Sequence, residues 1–130
     1  MTAIPPSLVF VDNPVVSGRE DRYETVEIEV APVLESWRLS LFSYEWVLPD
    51  GRIKDLAELP EGEQEKRRIV EESLKTGQAF EKPILGIGLL ENVEIGSGKA
   101  VFLTLAAHGA KTLPVHIPKS NRKEFAAFLA

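Results

Sequence analysis

Between Pro83 and Pro118 large apolar residues return at every second position, and glycines interrupt the pattern. Leu85, Ile87, Leu89, Val93 and Ile95 make the first run, Val101, Leu103 and Leu105 the second, and Leu113, Val115 and Ile117 the third. Period two is the mark of β-strands, whose side chains alternate between faces. No other segment restricts the fold as much, because a ribbon of this kind must lie in a sheet. The spacing predicts a hairpin with Ser97 and Gly98 at its tip, where Ile95 faces Ala100, Val93 faces Phe102 and Glu91 faces Thr104. Gly86 and Gly88 then fall two apart on one strand face and leave it bare, open to close approach by a helix or by Trp37 or Trp46.

The same glycines resemble phosphate loops in composition. A dinucleotide fingerprint needs a third glycine where this chain has Glu91, and a helix where Asn92 to Ile95 alternate as a strand. A P-loop needs a glycine where Val93 stands and a hydroxyl where Ala100 stands. Neither motif is complete, and the sequence assigns these glycines to shape. The alternative reading is a small anionic-ligand pocket, binding or catalytic, built on Gly96, Ser97, Gly98 and Lys99, with His116 beside it.

Upstream, Val26, Ile28 and Val30 alternate with Thr25, Glu27 and Glu29, the pattern of a strand with one wet, acidic face. Residues 33–48 fit two templates: Leu34, Trp37, Leu41, Tyr44 and Leu48 share a helical face, whereas Phe42, Tyr44, Trp46 and Leu48 alternate. We read a helix from Pro32, then an extended piece entering the turn Leu48-Pro49-Asp50-Gly51. Residues 61–76 are the clearest helix, with Pro60 at the entrance, acids in the first turn, Gly77 to cap the end, and ion pairs expected between Glu63 and Arg67 and between Arg68 and Glu72. Ile69, Val70 and Leu74 give it a narrow apolar stripe, so it is expected on the surface. Near the end, Asn121 and Glu124 stand at capping-box spacing before Phe125, Phe128 and Leu129, a short helix over about 121–129 that docks on a core. Residues 1–22 read as a loosely ordered N-terminal segment. The fold class expected is α+β over 1–130 as one domain, an antiparallel sheet of about four or five strands with these helices.

Composition narrows the function. At 130 residues the chain suits one domain with a real core. It has no cysteine, which removes thiolate chemistry and disulfides and suits a reducing, cytoplasmic setting. The N-terminus lacks the basic and apolar regions of a signal peptide, and no apolar run is long enough to span a bilayer. Net charge is -5, divided as -9 over residues 1–95 and +4 over residues 96–130. An acidic body disfavours general binding to nucleic acid, leaving only the basic C-terminal third as a candidate interface. Phe125 and Phe128 sit at core spacing there, not at the spacing of an exposed stacking platform.

No catalytic constellation is legible. Ser97 lies in G-S-G, not on a nucleophile elbow, and the paired acids Glu71 with Glu72 and Glu91 with Glu94 stand in a generally acidic background. His108 and His116, on a hairpin turning at Gly109 to Lys111, would be about 13 Å apart, too far to share a metal. His116, between Val115 and Ile117, is expected on the wet strand face. Neither a metal site nor a cofactor is read from this sequence. What remains is the aromatic cluster Trp37, Phe42, Tyr44 and Trp46, with Trp37, Tyr44 and Trp46 the candidates for contact, since Trp and Tyr are enriched at interfaces. The leading expectation is a non-catalytic module that docks another protein, or a second copy of itself, through a sheet edge or through these aromatics.

Overall fold

In the computed structural model, which describes residues 8–130, six strands and four helices follow one another. They are β1 (Phe10–Val11), β2 (Tyr23–Glu29), α1 (Val30–Trp37), α2 (Glu61–Thr76) and β3 (Phe80–Glu81), then β4 (Leu85–Ile87), β5 (Val93–Ile95), α3 (Lys99–Ala107), β6 (Thr112–Pro118) and α4 (Arg122–Phe125). The α+β class is as expected. The seven-residue antiparallel ladder of β2 and β6 sets Tyr23 opposite Pro118 and Glu29 opposite Thr112. On the other side of β6, His116 bridges Ile84 in parallel, and its N–H donates to the Pro83 carbonyl at 2.9 Å. β4 then pairs antiparallel with β5, so the strands run in the order β5, β4, β6, β2. β1 and β3 form a separate parallel pair. The sheet is therefore mixed and broken at the Ile84 bridge, where one antiparallel sheet was expected.

The hairpin expected at Ser97 and Gly98 does not form. A helix, α3, begins at Lys99, directly after Gly98. Val101, Leu103 and Leu105 alternate, but Phe102 and Thr104 between them are buried as well. A segment that is covered on every side carries no amphipathic period, so alternation cannot tell it from a strand. Its Ala, Leu and Lys residues are good helix formers. Gly98 makes the corner: its φ is +87°, and a Cβ there would lie 2.9 Å from Pro83 Cα. Gly86 has nothing within 4 Å of its Cβ position, and at Gly88 the near neighbour is Glu94, not an aromatic ring. The bare-face reading of these two glycines is thereby corrected.

α2 has the bounds read from the sequence, with Gly77 closing it at φ +72°. Its buried face is Glu63, Arg67, Val70 and Leu74, whereas Ile69 points to solvent. The ion pairs differ too: Arg67 meets Glu71, Arg68 meets Glu65, and Glu63 turns to Lys66 and Lys99. α1 starts at Val30, before Pro32, which is tolerated in a first turn whose N–H groups need no helical partner. Beyond it the extended piece entering the turn is only a few residues long, around Val47. Ser43–Glu45 make a single 3-10 turn, and Leu48 to Gly51 close a β-turn with Val47 bridging Ile53.

Trp37, Trp46, Phe102 and Phe125 belong to one buried cluster that also takes in β6 and the inner face of α2. The C-terminal helix is four residues long between two 3-10 turns, and Phe125 is its buried anchor. Of the N-terminal segment, residues 1–7 lie outside the described residues. Residues 8–22 hold β1 and two 3-10 turns, with Asn13 and Val16 buried. Among the described residues no helix is long and apolar enough to cross a membrane.

Candidate functional site

Two loops carry large apolar side chains into solvent. The chain from α1 to the 3-10 turn exposes Leu39, Leu41, Phe42 and Tyr44, and the turn between β4 and β5 exposes Leu90 and, fully, Leu89. The second loop is a tight turn closed by Glu91 N–H on the Gly88 carbonyl at 3.0 Å and Gly88 N–H on the Asn92 carbonyl at 2.8 Å. Leu89 and Leu90 stand at its tip, where an apolar face along β4 was expected. Glu94 joins the two loops: its carboxylate accepts from Ser40 Oγ on one side and from Asn92 Nδ2, at 2.9 Å, on the other. Val93 N–H donates to Ser36 Oγ at 2.8 Å and fixes β5 to the end of α1.

Each loop holds one non-glycine residue in the left-handed region, Phe42 at φ +71° and Glu91 at φ +60°. Such a residue costs about 1 kcal/mol. The loops are thus held in shape by their anchors, with their apolar tips outward. Phe42 and Tyr44 pack ring to ring at 6.1 Å. Around them stand Glu35, Glu45, Glu91 and Glu94, with Arg38 as the neighbouring base, itself paired to Glu35 at 3.0 Å. Of the aromatic cluster, Phe42 and Tyr44 belong to this surface. Trp37 and Trp46 are core residues, 3% and 0% exposed.

The glycine-loop candidates are divided by the fold. Lys99 Nζ reaches Glu63 Oε1 at 3.2 Å, Lys66 Nζ reaches Oε2 at 3.0 Å, and Trp46 Nε1–H donates to Oε1 at 2.9 Å. Burial raises the Glu63 pKa, but these three donors outweigh it and bring it to about 2. Lys66, Gly96, Gly98 and Lys99 line a shallow hollow of about 370 Å³ at the start of α3. The positive charge there is already spent on a carboxylate that stays ionised. Ser97 turns the other way, its Oγ accepting from Asn13 Nδ2 at 3.0 Å.

His116 is buried, not on a wet face as expected. Residues 12–16 fold across that side of β6, and Asn13 N–H donates to His116 Nε2 at 3.1 Å. Nε2 is therefore the acceptor, and Nδ1–H is left to donate to Thr25 Oγ1 at 3.3 Å. Burial pushes the His116 pKa down; Lys82 adds to this and Asp12 opposes it. The ring is a neutral clasp between the N-terminal segment and the sheet. Asn13 ties it to Ser97, so these two candidates do meet, though as structure.

His108 follows α3 and lies far from His116 in role. Its Nε2–H donates to Glu71 Oε2 at 2.8 Å, and the same oxygen accepts from Arg67 Nε at 3.3 Å. Burial raises the Glu71 pKa, but its bonds to His108 and Arg67 lower it overall. Among the described residues no group of three or more His, Asp or Glu side chains is placed to hold a metal ion.

The exposed loops were missed because sequence templates place apolar residues inside. The available signal was position: Leu89-Leu90 sits between Gly88 and Glu91-Asn92, in turn context. Compared with protein-family models, with curated proteins and with solved structures, the chain returns no match.

Proposed function

We propose that this protein is a non-catalytic docking module that holds another protein against the apolar end formed by Leu39, Leu41, Phe42, Tyr44, Leu89 and Leu90. The observation that carries the reading is the shared anchor on Glu94, which presents six large apolar side chains from two separate loops together. Single exposed apolar residues are ordinary, but a contiguous set with a polar border marks an interaction surface. The border carries both signs, with Glu45 and Glu91 on the two loops and Arg38 and Lys54 beside Tyr44, so the partner is a protein with an apolar contact surface and a polar rim. The cysteine-free composition suits such a partner in the cytoplasm.

The test is site-specific photo-crosslinking from Leu41 and Leu89, with Ile69 on α2 as an exposed apolar control. A protein captured from the first two positions and not from Ile69 is then titrated, purified, against the wild type. Leu41→Glu and Leu89→Glu should each weaken that complex about tenfold or more, and added salt should weaken it further. Equal capture from all three positions, a complex indifferent to both variants, or sedimentation as a dimer broken by Leu89→Glu would each remove the proposal.

The anion-pocket reading keeps one observation in its favour, the unexpected helix start at Gly98, since first-turn amides attract anions. An anion there must displace Glu63 from both lysines. Its test is a phosphate-dependent rise in melting temperature that Lys99→Gln abolishes; no rise in the wild type ends it.

A further inference from the structure

At the open end of the β2–β6 ladder, a hollow of about 390 Å³ is lined by Arg19, Arg22, Tyr23, Pro118, Lys119 and Ser120. Its geometry follows from the register. Tyr23, the first residue of β2, pairs with Pro118, the last of β6, so the 3-10 turns on either side of that pair are brought together. Arg19 caps the turn Glu20–Arg22, and residues three apart eclipse on a 3-10 turn, so Arg19 and Arg22 project to the same side. Lys119 opens the facing turn.

The charge of this hollow is only partly offset from outside it. Arg19, Arg22 and Lys119 make no side-chain hydrogen bond or ion pair among the described residues, and no carboxylate lines the hollow. The adjacent acids are occupied elsewhere: Glu20 accepts from Gly18 N–H at 3.1 Å, and Glu24 is held by Arg122, with Lys119 near enough to lower its pKa further. Asp21 lies on the same turn but outside the lining. In a chain of net charge -5, three cations lining one hollow raise the local potential, and a bound anion relieves it.

We propose that this hollow binds a phosphate group. Two guanidinium forks and an ammonium match the multiple oxygens and the charge of up to -2 that a phosphate carries, whereas a single carboxylate would leave two cations unmet. Tyr23 supplies an aromatic wall that a phosphomonoester can use and free phosphate cannot. The site is separate from the apolar end and from the Gly98 corner.

The experiment is an amide-resolved NMR titration with inorganic phosphate and with phenyl phosphate, at matched low ionic strength. Saturable shifts at Arg19, Arg22 and Ser120 are expected. Arg22→Gln and Lys119→Gln should each weaken binding about fivefold, while Lys99→Gln and Lys75→Gln leave it unchanged. Tighter binding of phenyl phosphate, lost in Tyr23→Ala, identifies a phosphoryl group carried on an organic molecule; equal binding of both identifies the free anion. The proposal is overturned by an absence of saturable shifts, by shifts confined to residues 98–101 and lost in Lys99→Gln, or by equal weakening in Lys75→Gln, which would show only general screening. Arg22, Lys75 and Lys119 are exposed and Tyr23 and Lys99 half-buried, and unchanged melting curves will show that the variants fold.

Discussion

Glu63 gives the sharpest test of how this fold is held. Its side chain is a buried carboxylate on a helix that the sequence marks as a surface element, and it accepts from Trp46, Lys66 and Lys99. The fall of its pKa from 4.5 to about 2 sets a ceiling. At about 1.4 kcal/mol per tenfold change in acidity, that ceiling is roughly 3.5 kcal/mol of folding stability. Lys66 is largely exposed, so its share is screened, and we expect about 2 kcal/mol. The sign follows from the lowered pKa: the contribution is complete above pH 4.5 and is lost as pH falls from there toward 2. Glu63→Gln keeps an acceptor for the Trp46 indole but removes the charge. It should unfold in urea about 2 kcal/mol more easily than wild type at pH 7, and the gap should narrow steadily below pH 4.5. Trp46 fluorescence reports the transition, since that ring is fully buried. Glu63→Ala should lose a further 1 kcal/mol or so, because the indole N–H is then left without a partner. No gap at pH 7, or a gap that stays constant down to the lowest pH with a native baseline, would refute the reasoning.

Two other outcomes follow from the geometry. His116 has a lowered pKa, so stability should be flat above about pH 6.5 and decline as pH falls below it, ending once the folded-state pKa is passed; urea titrations of wild type and His116→Gln across that range check this, and parallel slopes would contradict it. Gly98→Ala should cost about 2 kcal/mol or more, from its positive φ and from the approach to Pro83, whereas Gly96→Ala, whose nearest new contact is the Ile84 carbonyl at 3.5 Å, should cost less than about 1 kcal/mol in the same denaturation assay.

The sequence was most legible where local chemistry acts alone. Gly77 ends α2, Pro49 to Gly51 make their turn, and the alternation of Thr25 to Glu29 gives β2, because each depends on backbone preferences of a few neighbouring residues. It was least legible where burial on all sides erases the pattern. α3 reads as a strand for that reason, and β6 hides a histidine among valines and isoleucines because residues 12–16 cover its second face. Glu63 and Arg67 look like solvent residues until their partners, from Trp46 to Lys99 and from Lys54 to Glu71, arrive from distant segments. Of the candidate site residues, Tyr44 lies on the surface proposed for docking. The rest of that surface, and the basic hollow, depend on contacts made across the chain: the Glu94 anchor and the pairing of Tyr23 with Pro118.

That last pairing also orders events in time. β2 is made well before its ladder partner β6, and the Asn13 clasp on His116 spans 103 positions. Closing so long a loop costs entropy before any contact repays it, and topologies of this kind fold slowly. A nascent chain cut short before Thr112 holds an acidic strand with nothing to pair against. Closure of the molecule therefore waits on β6, and a chain stalled before it is left with β2 open to other chains.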